Sequence, residues 1–95
     1  MSLSEDKLPV FYVYILETIA KNGKKKYYTG YTNNLYRRWS EHRSGKGAKF
    51  CRGKNRIDLK YFETYTNRKD AMKRELEIKT FSKKQKKDLI NSIYI

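Results

Sequence analysis

The stretch VFYVYIL, residues 10–16, restricts the fold more than any other part of the sequence, because it is apolar on both alternating sets of positions. In an extended chain, successive side chains point to opposite faces. One set is Phe11, Val13 and Ile15, and the other is Tyr12, Tyr14 and Leu16. A strand that is apolar on both faces must be covered on both faces, so the sequence predicts a central strand with protein packed on either side.

Turn and cap signals place the other elements around this strand. Asn22-Gly23 predicts a hairpin into a second strand, KYYTGY (26–31), and the alternating IDLKYFETY (57–65) predicts a third. Three helices are predicted from their cap residues: one from Asn33 or Asn34 to about Ser44 and stopped by Gly45, one after Asn67, and one that opens with Ser82 and Gln85 as a capping box.

The resulting order is β-β-α-β-α-α, which predicts an α+β fold with a three-stranded, mostly antiparallel sheet flanked by helices. We expect a short tail over residues 1–9 and one domain over residues 10–93. The chain of 95 residues allows only a modest core.

Charge is distributed unevenly along the chain. The formal net charge is +13, and all of the excess lies beyond residue 20, where 22 Lys and Arg face seven Asp and Glu. Such a field attracts polyanions, and nucleic acid is the expected partner. A merely solubilising surface is the alternative.

Other compositional features limit the class of protein. Cys51 is the only cysteine, so neither an internal disulfide nor a cysteine metal cluster can form. Neither a signal peptide nor an apolar run of about 20 residues is present in the sequence. We therefore expect a cytoplasmic protein that does not enter membranes and that is a monomer.

Three groups of side chains have the character of a functional site. Arg38 and His42 are four residues apart and share one helical face, although a lone histidine on a basic helix is commonly a surface residue. Glu75 lies within the apolar stripe expected for the second helix, which consists of Ala71, Met72, Leu76 and Ile78. An inward carboxylate needs a cation, and the two alternatives are an ion pair with Lys79 and a divalent metal.

Basic residues form the third group. The segment 45–56 and the start of the third helix supply the expected nucleic-acid contacts, namely Lys46, Lys49, Arg52, Lys54, Lys83 and Lys84. Lysines in a first helical turn oppose the helix dipole, which favours a nearby anion. A solvated surface is again the alternative.

The ordered set of short motifs resembles the GIY-YIG nuclease superfamily, specifically its small stand-alone, YhbQ-like members. The two name-giving signatures correspond to Tyr12-Val13-Tyr14 and Tyr28-Thr29-Gly30, with Tyr in place of the first Gly and Thr in place of Ile. LYRRWSEH, SGKGAKF and KRELEIK correspond to the helix, loop and glutamate motifs that follow. The resemblance covers roughly residues 10–90.

This resemblance implies a metal-dependent endonuclease that hydrolyses phosphodiester bonds, with DNA favoured over RNA and with a protein partner that could direct it to its target. It implies Tyr14, Tyr28, Arg38 and His42 as catalytic residues and Glu75 as the ligand of one Mg²⁺ or Mn²⁺. Either tyrosine could be the base, and a buried tyrosine in a strand is ordinarily a core residue.

The implied site also restricts the hairpin. A two-residue turn at Asn22-Gly23 would put Tyr14 and Tyr28 on opposite faces of the sheet. We therefore predict an odd-numbered loop with Gly23 left-handed, which places Tyr14 opposite Gly30 and both tyrosines on one face.

Two other functions fit the charge and the aromatic content. One is a nucleic-acid-binding module that has this fold but little or no catalytic activity, and the other is a ribosome-associated or other structural basic protein. Only Arg38, His42 and Glu75 together favour the enzyme.

Overall fold

A computed structural model describes residues 9–45 and 53–92 of the chain. Its secondary-structure elements follow the predicted order β-β-α-β-α-α. The strands are β1 (Phe11–Ile19), β2 (Lys25–Thr32) and β3 (Arg56–Tyr65), and the helices are α1 (Leu35–Arg43), α2 (Arg68–Lys79) and α3 (Lys83–Asn91). The strands form one antiparallel sheet in the order β2-β1-β3, which confirms the predicted class.

The hairpin between β1 and β2 has the predicted odd-numbered loop. Gly23 has a φ of 84° and donates its N–H to the carbonyl of Ala20 at 2.8 Å. The five residues 20–24 separate the strands, and the register pairs Tyr14 with Gly30. Tyr28, two residues from Gly30, therefore shares the face of Tyr14, as predicted.

The central strand β1 is covered on both faces, as its sequence predicts. On one face, Val13 and Ile15 pack against Ala71 and Ile78 of α2. On the other face, Tyr14 and Leu16 pack with partly buried side chains of α1, β2 and β3, namely Leu35, Trp39, Tyr28, Ile57 and Leu59. The sheet therefore separates α1 from α2.

A β-bulge in β3 changes which of its side chains face each helix. Leu16 pairs with Leu59 and Ile15 pairs with Tyr61, so Lys60 is the extra residue. Because each bulge shifts the alternation by one position, Tyr61 and Glu63 face α2, although Leu59 faces α1.

The helices begin at the predicted caps. The Asn34 side chain accepts a hydrogen bond from the N–H of Arg37, and the Asn67 side chain accepts from two N–H groups of α2. Ser82 and Gln85 form the complete capping box of α3. Gly45, with a φ of 83°, follows α1 as its left-handed stop.

The predicted apolar stripe of α2 is wrong for two of its members. Met72 and Leu76 are 42% and 61% exposed. The inward face instead follows the helical period through Ala71, Glu75 and Ile78. Met72 and Leu76 flank this face, so Glu75 is an inward residue even though the predicted stripe is not the one observed.

None of the described helices is long and apolar enough to cross a bilayer. The division into a tail over residues 1–9 and a domain over residues 10–93 stays a prediction, since residues 1–8 and 93–95 lie outside the described ranges.

Candidate active site

Tyr14 lies near the middle of β1, and its hydroxyl is at the centre of the site. The residue is 1% exposed, and its Oη lies 2.9 Å from Nε2 of His42. Gly30, its partner on β2, leaves room for the hydroxyl, because a Cβ at that position would lie 2.5 Å from Oη. The glycine is thus what lets a tyrosine side chain lie against β2.

His42 is fully buried on the inner face of α1, so the alternative of a surface histidine is wrong. Burial lowers its pKa below the ordinary value of 6.5, and the nearby Arg38 charge lowers it further against a smaller opposing effect of Glu41. A neutral imidazole can accept a proton through one ring nitrogen. The neutral imidazole of His42 can therefore accept a hydrogen bond from the Tyr14 hydroxyl.

Arg38 lies one helical turn before His42 and reaches the same hydroxyl. Its Nη1 donates to Oε1 of Glu41 at 3.1 Å, and its guanidinium also hydrogen-bonds to Tyr14. Burial lowers the pKa of Arg38, but the hydrogen bonds to Glu41 and Tyr14 more than offset it, so the pKa is raised. Since the side chain is 35% exposed, the permanent charge lies between the buried tyrosine and the surface.

Tyr28 completes the group from β2. Its ring lies 6.4 Å from that of Tyr14 and meets the ring of His42 edge-on at 5.2 Å, centroid to centroid. It is half-buried, and so more accessible than Tyr14. We call Tyr14, Tyr28, Arg38 and His42 the tyrosine cluster; all four predicted side chains come together on the α1 face of the sheet.

Glu75, the fifth predicted site residue, is not part of the tyrosine cluster. It lies on α2, which packs against the opposite face of the sheet, and its side chain is 13% exposed. Its Oε2 lies 3.3 Å from Nζ of Lys79, so the ion pair considered as an alternative to metal is present. The role of Glu75 as a metal ligand stays a prediction.

The Glu75 carboxylate is of the ligand type that a hard divalent cation prefers. Within residues 9–45 and 53–92, no three or more His, Cys, Asp and Glu side chains are grouped so that they could hold a metal together. Mg²⁺ does not need such a cage, because one carboxylate, waters and substrate phosphates commonly suffice. A shielded, inward carboxylate fits that requirement.

The predicted nucleic-acid contacts are only partly within the described chain. Lys46, Lys49 and Arg52 lie outside the described residues. Lys54 lines a pocket of about 520 Å³ together with Trp39, Arg43, and Arg56, which pairs with Asp58 in the same lining at 2.7 Å. The Arg43 guanidinium lies 4.7 Å from the centre of the Trp39 ring. A cationic pocket with an aromatic wall is suited to phosphate and base contacts.

The other two predicted contacts are on α3. Lys84 is 83% exposed and pairs with Asp88 at 2.9 Å, as an ordinary surface lysine does. Lys83 is exposed but donates from Nζ to the carbonyl of Lys25 at 2.6 Å. The two lysines therefore have different surroundings despite being neighbours.

A network around Glu63 was not predicted from the sequence. Its carboxylate accepts two hydrogen bonds from Arg74, at 2.9 and 3.0 Å, and one from each of the Tyr61 and Tyr65 hydroxyls. Burial opposes ionisation of Glu63, but the bonds from Arg74 and the tyrosines lower its pKa overall. These hydrogen bonds join α2 to β3. Glu63 faces α2 because of the β-bulge at Lys60.

Comparisons with known proteins agree with this arrangement. The family model described as GIY-YIG catalytic domain matches residues 10–88. A UPF0213 protein of Clostridium perfringens is 44% identical over 81 residues, which are 85% of this chain and 83% of that protein. A UPF0213 protein of Halobacterium salinarum is 41% identical over 78 residues, covering 82% and 96% of the two chains.

A solved structure shares the fold. The solution NMR structure of a UPF0213 protein from Bacillus halodurans is 39% identical, covers 86% of this chain and 83% of its own, and gives a TM-score of 0.51. The extent of the family match, the fold and the tyrosine cluster agree, and the chain therefore belongs to the GIY-YIG family, whose members are generally endonucleases.

Proposed function

We propose that this protein is a metal-dependent endonuclease that hydrolyses phosphodiester bonds in nucleic acid, with DNA favoured over RNA. The observation that carries the proposal is the Tyr14 hydroxyl, held at 2.9 Å from a buried histidine and hydrogen-bonded to an arginine. A tyrosine that serves only the core needs one hydrogen-bond partner for its hydroxyl. A neutral imidazole and a permanent cation beside that hydroxyl are instead typical of a functional site.

The first step is removal of a proton from water. As the water oxygen forms its bond to phosphorus, its proton passes to the Tyr14 oxygen, while the tyrosine's own proton passes to Nε2 of His42. Arg38 stabilises any negative charge that develops on the tyrosine oxygen during this relay. Tyr28, the more accessible tyrosine, flanks the phosphate.

Arg38 has a second role at the phosphate. Attack by water adds negative charge to the phosphoryl oxygens, and a fixed guanidinium stabilises that charge more in the transition state than in the ground state. The P–O bond to the leaving nucleotide then breaks, its oxygen takes up a proton from solvent to leave as a hydroxyl, and the proton held by His42 returns to solvent.

Glu75 would hold the divalent cation. When bound, a cation of this kind polarises the phosphate and neutralises charge on the leaving oxygen. β2 is an edge strand of the sheet, so a nucleic-acid strand that passes around this edge would reach both faces. This placement allows α1 and α2 to act on one substrate.

The test is nicking of a supercoiled plasmid and cleavage of branched DNA and of RNA, in Mg²⁺, in Mn²⁺ and in EDTA. We expect cleavage by the wild-type protein in either metal and none in EDTA. Glu75→Gln should abolish it, because the neutral amide keeps the size of the side chain but loses the charge that holds the metal. Glu77→Gln is the matched control, since Glu77 is 59% exposed and pairs with Arg74.

Two outcomes would contradict the assignments. Cleavage by Glu75→Gln at the wild-type rate would leave Glu75 as the ion-pair partner of Lys79 and nothing more. Absence of cleavage on every substrate, with nucleic-acid binding retained, would instead identify the protein as a binding module with a nuclease fold. The cytoplasmic location and the monomeric state stay predictions.

A further inference from the structure

A second basic site lies at the hairpin end of the sheet, on the face opposite the tyrosine cluster. It is a pocket of about 320 Å³ between the start of β2 and α3, which we call the lysine pocket. Tyr27 and Phe81 contribute aromatic surface to it and also pack against the core. Its basic residues are Lys24, Lys25, Lys26, Lys83 and Lys86.

The lysine pocket is electrostatically one-sided. Among the described residues that line it, none is acidic. The Glu17 carboxylate acts on Tyr27, whose pKa is raised by burial and by the Glu17 charge. Five lysines around one concavity give it a positive potential, which favours an anion there.

Two of these lysines are held in place by the fold. Lys83 extends from α3 to the carbonyl of Lys25 in β2, at 2.6 Å, and so joins the two walls of the pocket. Lys86 is half-buried, and its pKa is lowered by burial and by the charge of Lys79. Within residues 9–45 and 53–92 no carboxylate pairs with Lys86, whereas the exposed Lys84 pairs with Asp88.

The position of the pocket relates it to the tyrosine cluster. Lys25 and Tyr28 lie on the same edge strand, three residues or about 10 Å apart at ~3.4 Å per residue, and their side chains point to opposite faces of the sheet. A nucleic-acid strand that bends around the β2 edge would therefore reach both sites.

We propose that the lysine pocket binds backbone phosphates of the nucleic-acid substrate, on the side of the β2 edge away from the bond that is cut. This inference rests on the proposed function and extends it, because it gives the substrate a path along the β2 edge from the tyrosine cluster to α3. It also provides a reason for the lysines that begin α3 against the helix dipole.

The experiment measures binding without cleavage. Fluorescence anisotropy of a labelled 20-base-pair DNA duplex in EDTA compares the wild type with Lys83→Gln/Lys86→Gln. The control is Lys73→Gln/Lys87→Gln, which removes the same charge from exposed lysines that do not line the pocket. We expect at least about tenfold weaker binding for the pocket pair, with a salt dependence reduced by about two in log–log slope, and little change for the control.

Two further variants separate binding from folding. Lys83→Arg/Lys86→Arg keeps both charges and should bind as the wild type does. Lys24→Gln/Lys26→Gln changes two exposed side chains on the opposite wall and should weaken binding even if the α3 variant does not fold. Equal losses for the pocket and control pairs, or wild-type affinity for both pocket pairs, would overturn the proposal.

The binding assay does not depend on the endonuclease assignment. Pocket-dependent binding by a protein that cuts nothing would contradict the proposed function and support the lysine pocket. Metal-dependent cutting together with binding that does not depend on the pocket would support the proposed function and contradict the proposal for the lysine pocket.

Discussion

Replacement of Gly30 by alanine should disturb the tyrosine cluster, because the new side chain would press on Tyr14 from β2. The added Cβ would lie 2.5 Å from Oη and 2.7 Å from Cζ of Tyr14, where ordinary contacts begin at 3.4 Å. The tyrosine ring must therefore move by about 1 Å or β2 must separate from β1. Movement of the ring disturbs the 2.9 Å contact between Tyr14 and His42, and separation of β2 displaces Tyr28 from both residues.

Two magnitudes follow from this displacement. Overpacking of this kind costs about 1–3 kcal/mol of stability, and each kcal/mol lowers the melting temperature of a domain of this size by about 4–8 °C. A catalytic group misplaced by about 1 Å loses on the order of 10² in rate. We therefore expect Gly30→Ala to lose both stability and cleavage.

Gly23→Ala provides the comparison in a thermal melt and a nicking assay. Gly23 has a φ of 84°, and nothing lies within 4 Å of its added Cβ. A left-handed alanine costs about 1–2 kcal/mol, so this variant should lose similar stability yet cut at nearly the wild-type rate. Equal rates for the two variants, or a Gly30→Ala protein that melts and cuts as the wild type does, would refute the reasoning.

Three further predictions concern single groups. Arg38→Ala should reduce cleavage by about 10²–10³ while changing DNA affinity only modestly, which rate and anisotropy measurements on one substrate can compare; equal losses would make Arg38 a backbone contact only. NMR titration of His42, the only histidine, should give a midpoint below pH 6.5. The folded state and the cleavage step both need the neutral imidazole, so the stability and the cleavage rate should fall as the pH falls through that midpoint. A midpoint at or above 6.5 would contradict this. Burial and Glu63 raise the pKa of Tyr61 and of Tyr65 to about 12. The contribution of the two tyrosines to the free energy of unfolding should therefore be intact below pH 10 and lost as pH rises toward 12. A free energy of unfolding in urea that does not change across this window would count against the network.

The side-chain alternation of the sequence was sufficient to predict the tyrosine pair. Tyr14 and Tyr28 share a face only if the hairpin loop has an odd number of residues, and Gly23 supplies the left-handed residue that such a loop needs. The burial of His42 could not be predicted in the same way. It depends on the approach of α1 to the sheet and on the Tyr14 hydroxyl as a partner, which no local pattern specifies.

The Glu63 network shows where local patterns stop being sufficient. IDLKYFETY alternates regularly, so it predicts that Leu59 and Glu63 face the same side. The bulge at Lys60 separates them, and it arises from the pairing of β3 with β1 rather than from the sequence of β3 alone. Arg74 then meets Glu63 across two elements whose distance apart the sequence does not show.

The pairing partners of β1 have a consequence for the order of folding. Tyr14 pairs with Gly30 on one side and with Phe62 on the other, which is three times as far along the chain. Closing the longer loop costs about 1 kcal/mol more in chain entropy. We expect the β1–β2 hairpin to form early with α1, so that Tyr14, Tyr28 and His42 assemble within one continuous segment, and β3 and α2 to dock later and bring Glu75 to a partly formed site.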